Sequence, residues 1–108
     1  MPRSITAATL SHSPDDYILV DVRKSAARLA SNQTIRNALY RSHTDVIDWL
    51  HTVRGKSVVV FCVHGHEVSQ GVCSTLISHG IDAWYLEGGF DAWAGGGQPT
   101  IEIEERDQ

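Results

Sequence analysis

Cysteine is scarce in this chain of 108 residues. Only Cys62 and Cys73 are present, too few for a disulfide framework, and a reducing compartment would keep both as thiols. Long apolar runs are missing too. No stretch approaches the ~20 residues that a membrane helix needs, and the opening MPRSITAATLSHSPDD lacks the central apolar region of a signal peptide. Cytoplasmic localisation with no membrane partner is therefore expected. Basic residues form no stripe, and a net charge of -4 argues against a nucleic-acid partner. Most of that charge is terminal: Glu102, Glu104, Glu105 and Asp107 against Arg106 carry -3 between them. No internal repeat or low-complexity tract interrupts the chain before the glycines at 95–97.

What is present has the balance of a globular protein, with 42% hydrophobic and 20% charged residues. A chain of this length builds one core that buries roughly 60% of its unfolded surface. The expected organisation is a single domain over residues 1–97 followed by a flexible acidic tail over 98–108.

Three apolar runs read as buried strands. They are YILV at 17–20, entered from turn formers at 13–16, SVVVF at 57–61, announced by Gly55, and AWYL at 83–86, between Gly80 and Gly88. Continuous rather than alternating hydrophobicity suits parallel strands covered on both faces. Between them the spacing of Val46, Ile47, Leu50 and Val53 predicts a helix over 44–53, capped by Thr44 or Ser42. Val72, Cys73, Leu76 and Ile77 predict another over 69–79, with Ser69 as its N-cap and Gly80 as its stop. Residues 25–30 read as a further helix and 39–41 as a short strand. Strands alternating with helices imply an α/β sheet, and in such sheets ligands bind outside the carboxyl ends of the strands.

Cys62 occupies such an end. The stretch FCVHGHEVSQG at 61–71 places it between a central strand and a helix N-terminus, where unpaired amides and the helix dipole favour thiolate. Gly65 lets the intervening loop turn tightly, and curved backbone amides form a concavity suited to an anion. Two readings of Cys62 stand on these residues: an activated nucleophile, or a small apolar residue that ends a buried strand. Cys73 falls in the apolar stripe of the following helix and reads as core. His64 and His66 have no companion cysteines and a poor ligand spacing, so no metal site is expected.

Together with this loop, YILVDVR at 17–23 and GIDAWYLEGGFDAW at 80–93 make the chain resemble a single-domain rhodanese over nearly all of residues 1–97. The resemblance implies a rhodanese-like α/β fold, a central five-stranded parallel sheet with helices on both faces. It implies a sulfurtransferase that moves sulfane sulfur through a cysteine persulfide, from a donor such as thiosulfate to a thiophilic acceptor. Cys62 would carry the persulfide, and the amides of Val63, His64, Gly65, His66, Glu67, Val68 and Ser69 would cradle the terminal sulfur. The implied partners are a small-molecule sulfur donor and a thiol or protein acceptor, with no cofactor.

The chain departs from the family pattern in its loop. Many active rhodanese loops run six residues and carry lysine or arginine, whereas this one is a residue longer and has neither, its acid Glu67 opposing two histidines. Thiosulfate, a dianion, is expected to bind such a loop weakly. Arg23 either stands near the mouth of the site and supplies a cation, or pairs with Asp21. A phosphatase or arsenate reductase would need an arginine six residues after the cysteine, where this chain has Val68. A non-catalytic regulatory or redox-sensing module is the alternative outside enzymes.

Overall fold

The computed structural model describes residues 2–103. Its centre is the strand Ser57–Phe61, whose unbroken apolar run is explained by burial on both sides. Val58 and Val60 join a core with Val20, Leu50, Val53, Val72 and Leu76. Val59 and Phe61 join a second core with Leu10, Leu19, Leu86, Phe90 and Trp93. Each strand face alternates between the two cores, which is why no polar residue interrupts the run.

In chain order the elements are β1 (Ser4–Ile5), α1 (Ala7–His12), β2 (Ile18–Asp21), α2 (Ser25–Ser31), β3 (Gln33–Thr34), β4 (Leu39–Tyr40), α3 (Val46–Trp49), β5 (Ser57–Phe61), α4 (Glu67–Ser78), β6 (Asp82–Leu86), α5 (Gly89–Gly95) and β7 (Ile101–Glu102). Short 3-10 turns occupy Pro14–Asp16 and Leu50–Val53. Five strands form one sheet in the order β1-β6-β5-β2-β4, with every pairing parallel. The registers Val20↔Val60 and Val60↔Tyr85 align the three central strands, so β2, β5 and β6 all end at the same edge. The expected five-stranded parallel sheet is therefore present.

Several local expectations need correction. The helix expected over 44–53 is one α-turn, Val46–Trp49, that tightens into the 3-10 turn Leu50–Val53. Neither Thr44 nor Ser42 caps it; Asp45 holds the cap position, and the Ser42 hydroxyl accepts from the Thr44 amide at 3.2 Å. Ile47 faces solvent at 61% exposure, because Val46, Trp49, Leu50 and Val53 already fill the core-facing side. The helix expected over 69–79 begins two residues earlier, at Glu67, with His66 at its cap. Ser69 lies inside the first turn and is wholly buried, its hydroxyl engaged elsewhere.

Several elements went unread in the sequence, among them α1, β3 and β7. Helix α1 is capped by Thr6, whose hydroxyl accepts from the Thr9 amide at 3.1 Å. The antiparallel pair β3–β7 continues packed structure past the domain end drawn at residue 97. Trp93 anchors that segment by donating from Nε1 to the Pro99 carbonyl at 2.8 Å. The remainder of the expected acidic tail, residues 104–108, lies outside the described residues. Among the described residues no helix is long and apolar enough to cross a membrane.

Candidate active site

Because β2, β5 and β6 end together, the segments that leave them meet at one edge. The first residue after β5 is Cys62, 6% exposed, and its Sγ donates to the Ser69 hydroxyl at 3.1 Å. That contact explains why Ser69 is no cap: the hydroxyl is turned toward the sulfur from within the first turn of α4. Only five residues, 62–66, separate β5 from α4, so amides 67–69, expected in the loop, belong to the first helical turn, where they have no intrahelical partners.

The loop is held from below by the segment that follows β6. Phe90 donates its amide to the Cys62 carbonyl at 2.8 Å, and Asp91 to that of Val63 at 3.0 Å. Two glycines make this approach feasible. Gly65 has φ +72°, and a Cβ there would lie 2.7 Å from the Leu86 carbonyl oxygen and 2.8 Å from the Gly88 nitrogen. Gly89 has φ +64°, and its Cβ would meet the carbonyl oxygens of both Cys62 and Val63 at 2.5 Å. Neither position admits a side chain. From the helix side, Gln70 donates through Nε2 to the Gly65 carbonyl at 3.0 Å.

In front of the sulfur lies a pocket of about 380 Å³ lined by Cys62, Val63, His64, His66, Glu67 and Val68 on one side and by Arg23, Lys24 and Ala27 on the other. The expected loop residues thus come together, with Gly65 beneath the loop and Ser69 behind the sulfur. A larger groove of about 450 Å³, lined by Tyr17, Leu19, Ile35, Trp93 and Ile101 among others, contains no cysteine.

Of the two arrangements open for Arg23, the structure shows the pair with Asp21. Its Nε and Nη2 donate to the two carboxylate oxygens at 2.9 and 2.7 Å. Nη2 also reaches the Gln33 carbonyl at 2.7 Å, and Nη1 the Ser31 hydroxyl at 3.0 Å. The guanidinium stacks 4.3 Å above the Phe90 ring. Four of the five N–H donors are engaged inside the protein, so Arg23 is wall and brace rather than a free cation.

Sequence reasoning passed over two polar residues here. Lys24 follows Arg23 out of β2 and reaches the pocket; its position one residue beyond a strand that ends beside β5 was the available signal. Asp91 Oδ2 lies 3.1 Å from His64 Nδ1, with both side chains more than half exposed. Cys73 is on the core-facing side of α4, and burial pushes its thiol up from the ordinary 9.0. Among the described residues, no three His, Cys, Asp or Glu side chains group as a metal-ligand set.

The fold is shared with solved structures. A rhodanese-related protein from Thermoplasma volcanium superposes with a TM-score of 0.82 at 27% identity, over 92% of this chain and 97% of that one. A protein from Rhodopseudomonas palustris described as a possible tyrosine phosphatase gives 0.81 at 22% identity, over 93% and 85%. The thiosulfate sulfurtransferase of Pseudomonas aeruginosa gives 0.80 at 18% identity, over 97% of this chain but only 20% of that longer one. The last two likenesses, at such identity, speak to the fold alone. A family model for the rhodanese-like domain matches residues 6–95. With the parallel five-stranded sheet and the cysteine at the end of its central strand, that match assigns the chain: it belongs to the rhodanese-like domain family.

Proposed function

We propose that this protein is a sulfurtransferase in which Cys62 carries sulfane sulfur as a persulfide. The observation that carries the reading is the position of Cys62 Sγ, bonded to Ser69 at the N-terminal turn of a twelve-residue helix and lying at the floor of a pocket. Unpaired first-turn amides and the helix dipole favour negative charge there, and the Ser69 hydroxyl can donate to sulfur once the thiol proton is gone.

The reaction runs in two displacements. The Cys62 thiolate attacks the outer sulfur of a donor such as thiosulfate; a new S–S bond forms, the donor's own S–S bond breaks, and sulfite departs with the electron pair. An acceptor thiolate then attacks the terminal sulfur of the persulfide, and Cys62 leaves as thiolate. Redox balance closes without a cofactor, since the sulfane sulfur keeps its oxidation level throughout. The amides of residues 63–69 serve as donors to the terminal sulfur while it waits.

The phosphatase reading finds no support in this loop. In-line attack on a phosphoryl group calls for a bidentate arginine, and Val68 holds that place. The deciding experiment is electrospray mass measurement after incubation with thiosulfate or inorganic polysulfide. The expected result is a gain of one sulfur atom, mapped to the peptide containing Cys62 and absent in Cys62→Ser. If neither donor leaves sulfur on Cys62, the assignment fails.

A further inference from the structure

The loop around Cys62 carries no lysine or arginine, yet the opposite wall of its pocket does. Arg23 stands in that wall with its charge matched by Asp21, but Asp21 is not its property alone. Arg28 also donates to Asp21, through Nε at 3.2 Å, and all three side chains are 3% exposed or less. Thr34 adds a neutral hydroxyl to the same carboxylate, and Arg28 otherwise stacks 4.1 Å over Tyr40. Two guanidiniums on one carboxylate leave one positive charge in surplus within low-dielectric surroundings, where it is little screened.

Lys24 lies in the same wall. It occupies the position before α2 without capping it, and among the described residues it enters no ion pair. The balancing acid of the pocket is Glu67, on the α4 side, and it makes no pair with Lys24. The pocket is therefore polarised, with its positive end on the α2 side. A cation with no ion-pair partner among the described residues, set beside a nucleophile and backed by a buried positive surplus, raises the local concentration of anions.

We propose that Lys24 is the anion-locating residue of the Cys62 pocket, receiving the anionic group of a sulfur substrate from outside the active-site loop. This deepens the sulfurtransferase reading and rests on it for the identity of the substrate. Two sources share the chemistry: the sulfonate-like end of a donor such as thiosulfate, and the carboxylate of an acceptor thiol. Lys24 is a positioning residue with no part in bond making.

The test needs no sulfur transfer. Alkylation of Cys62, followed on its own peptide, is timed with iodoacetate and with neutral iodoacetamide in the parent protein, Lys24→Gln, Lys24→Glu and Lys24→Arg. The iodoacetate-to-iodoacetamide rate ratio should fall about fivefold in Lys24→Gln at low salt, fall further in Lys24→Glu and hold in Lys24→Arg. In molar salt, where the screening length is about 3 Å, the difference should vanish. An equal ratio in the parent and Lys24→Gln overturns the proposal, whatever the sulfur assay gives. A failure of Cys62 to accept sulfur in any variant would instead overturn the reaction assigned above. The source of the anion follows from Michaelis constants in Lys24→Gln. A raised constant for thiosulfate assigns it to the donor, and a raised constant for mercaptoacetate but not for 2-mercaptoethanol assigns it to the acceptor. If neither constant moves, Lys24 does not serve the substrate and the proposal falls.

Discussion

Arg23 and Asp21, two residues apart, close a two-pronged bond at 2.9 and 2.7 Å with both side chains 1% exposed. The pair fixes the exit of β2, and through Arg23 it supports the wall that faces Cys62. Removing the acid would strand two buried guanidiniums at once. Asp21→Asn should cost about 3–5 kcal/mol in urea unfolding, the usual penalty for breaking a buried pair. Arg28→Met should cost less, because it removes the surplus charge and leaves the Arg23 pair whole. Equal losses for the two variants would show that the surplus charge carries no cost of its own.

The glycine pair beneath the loop yields a comparison with an internal control. Gly65→Ala and Gly89→Ala each force a methyl group against backbone at a positive φ, and the atoms in the way cannot swing aside. Each should destabilise the fold by about 1–3 kcal/mol and displace the loop, lowering sulfur uptake by Cys62. Gly71 lies within α4 with nothing inside 4 Å of a would-be Cβ. Gly71→Ala should stabilise by about 0.5–1 kcal/mol, since glycine is the poorer helix former. Thermal unfolding of the three variants checks the ordering, and a neutral Gly89→Ala would contradict the packing described.

How much of this was readable beforehand depended on the range of the interactions involved. The strands β2, β5 and β6 were visible because consecutive largely apolar residues, Ile18–Val20, Val58–Phe61 and Ala83–Leu86, run through them. The strand β1 was not, because two residues carry no periodicity and Ser4–Ile5 is defined only by its pairing with β6. Cys62 was legible as a strand-end residue before a helix. The role of Ser69 was not, since a serine at a helix start reads as a cap unless a distant group claims its hydroxyl, as Cys62 does here. Arg23 left two arrangements open, and only the fold, by bringing Ser31 and Gln33 to the same guanidinium, decides between them. Lys24 resembled any surface lysine until α2 and the loop faced one another.

Ser69 gives a direct handle on the nucleophile. In Ser69→Ala the sulfur loses its only side-chain hydrogen-bond partner among the described residues, while the methyl group remains in the buried space. One hydrogen bond of about 1 kcal/mol corresponds to a roughly fivefold slower sulfuration of Cys62. Stopped-flow or quenched mass measurement at fixed donor concentration reads this directly. A rate equal to that of the parent would mean that the hydroxyl only packs, and that the backbone amides alone support the thiolate.

Cys73 sets the final expectation, because the chain's two thiols should behave oppositely. Burial disfavours its thiolate, so its ionisation in the folded protein lies above the ordinary 9.0. Iodoacetamide at neutral pH should therefore modify Cys62 and leave Cys73 untouched until the protein is unfolded in urea. The same shift makes a stability statement with a definite sign. Below 9.0 the Cys73 thiol keeps its proton in folded and unfolded chains alike and contributes no pH dependence. As pH climbs past that value the unfolded chain releases the proton and the folded one holds it, so stability falls until the raised folded value is passed. Other groups titrate in this range, so the measurement is the difference between the parent and Cys73→Ala, taken from neutral pH to about pH 10.5. Cys73→Ala should start less stable, having lost a buried sulfur, and the gap should narrow steadily above 9.0. A gap that stays constant, or alkylation of Cys73 at a rate matching Cys62, would show that this thiol is not the protonated core group its burial requires.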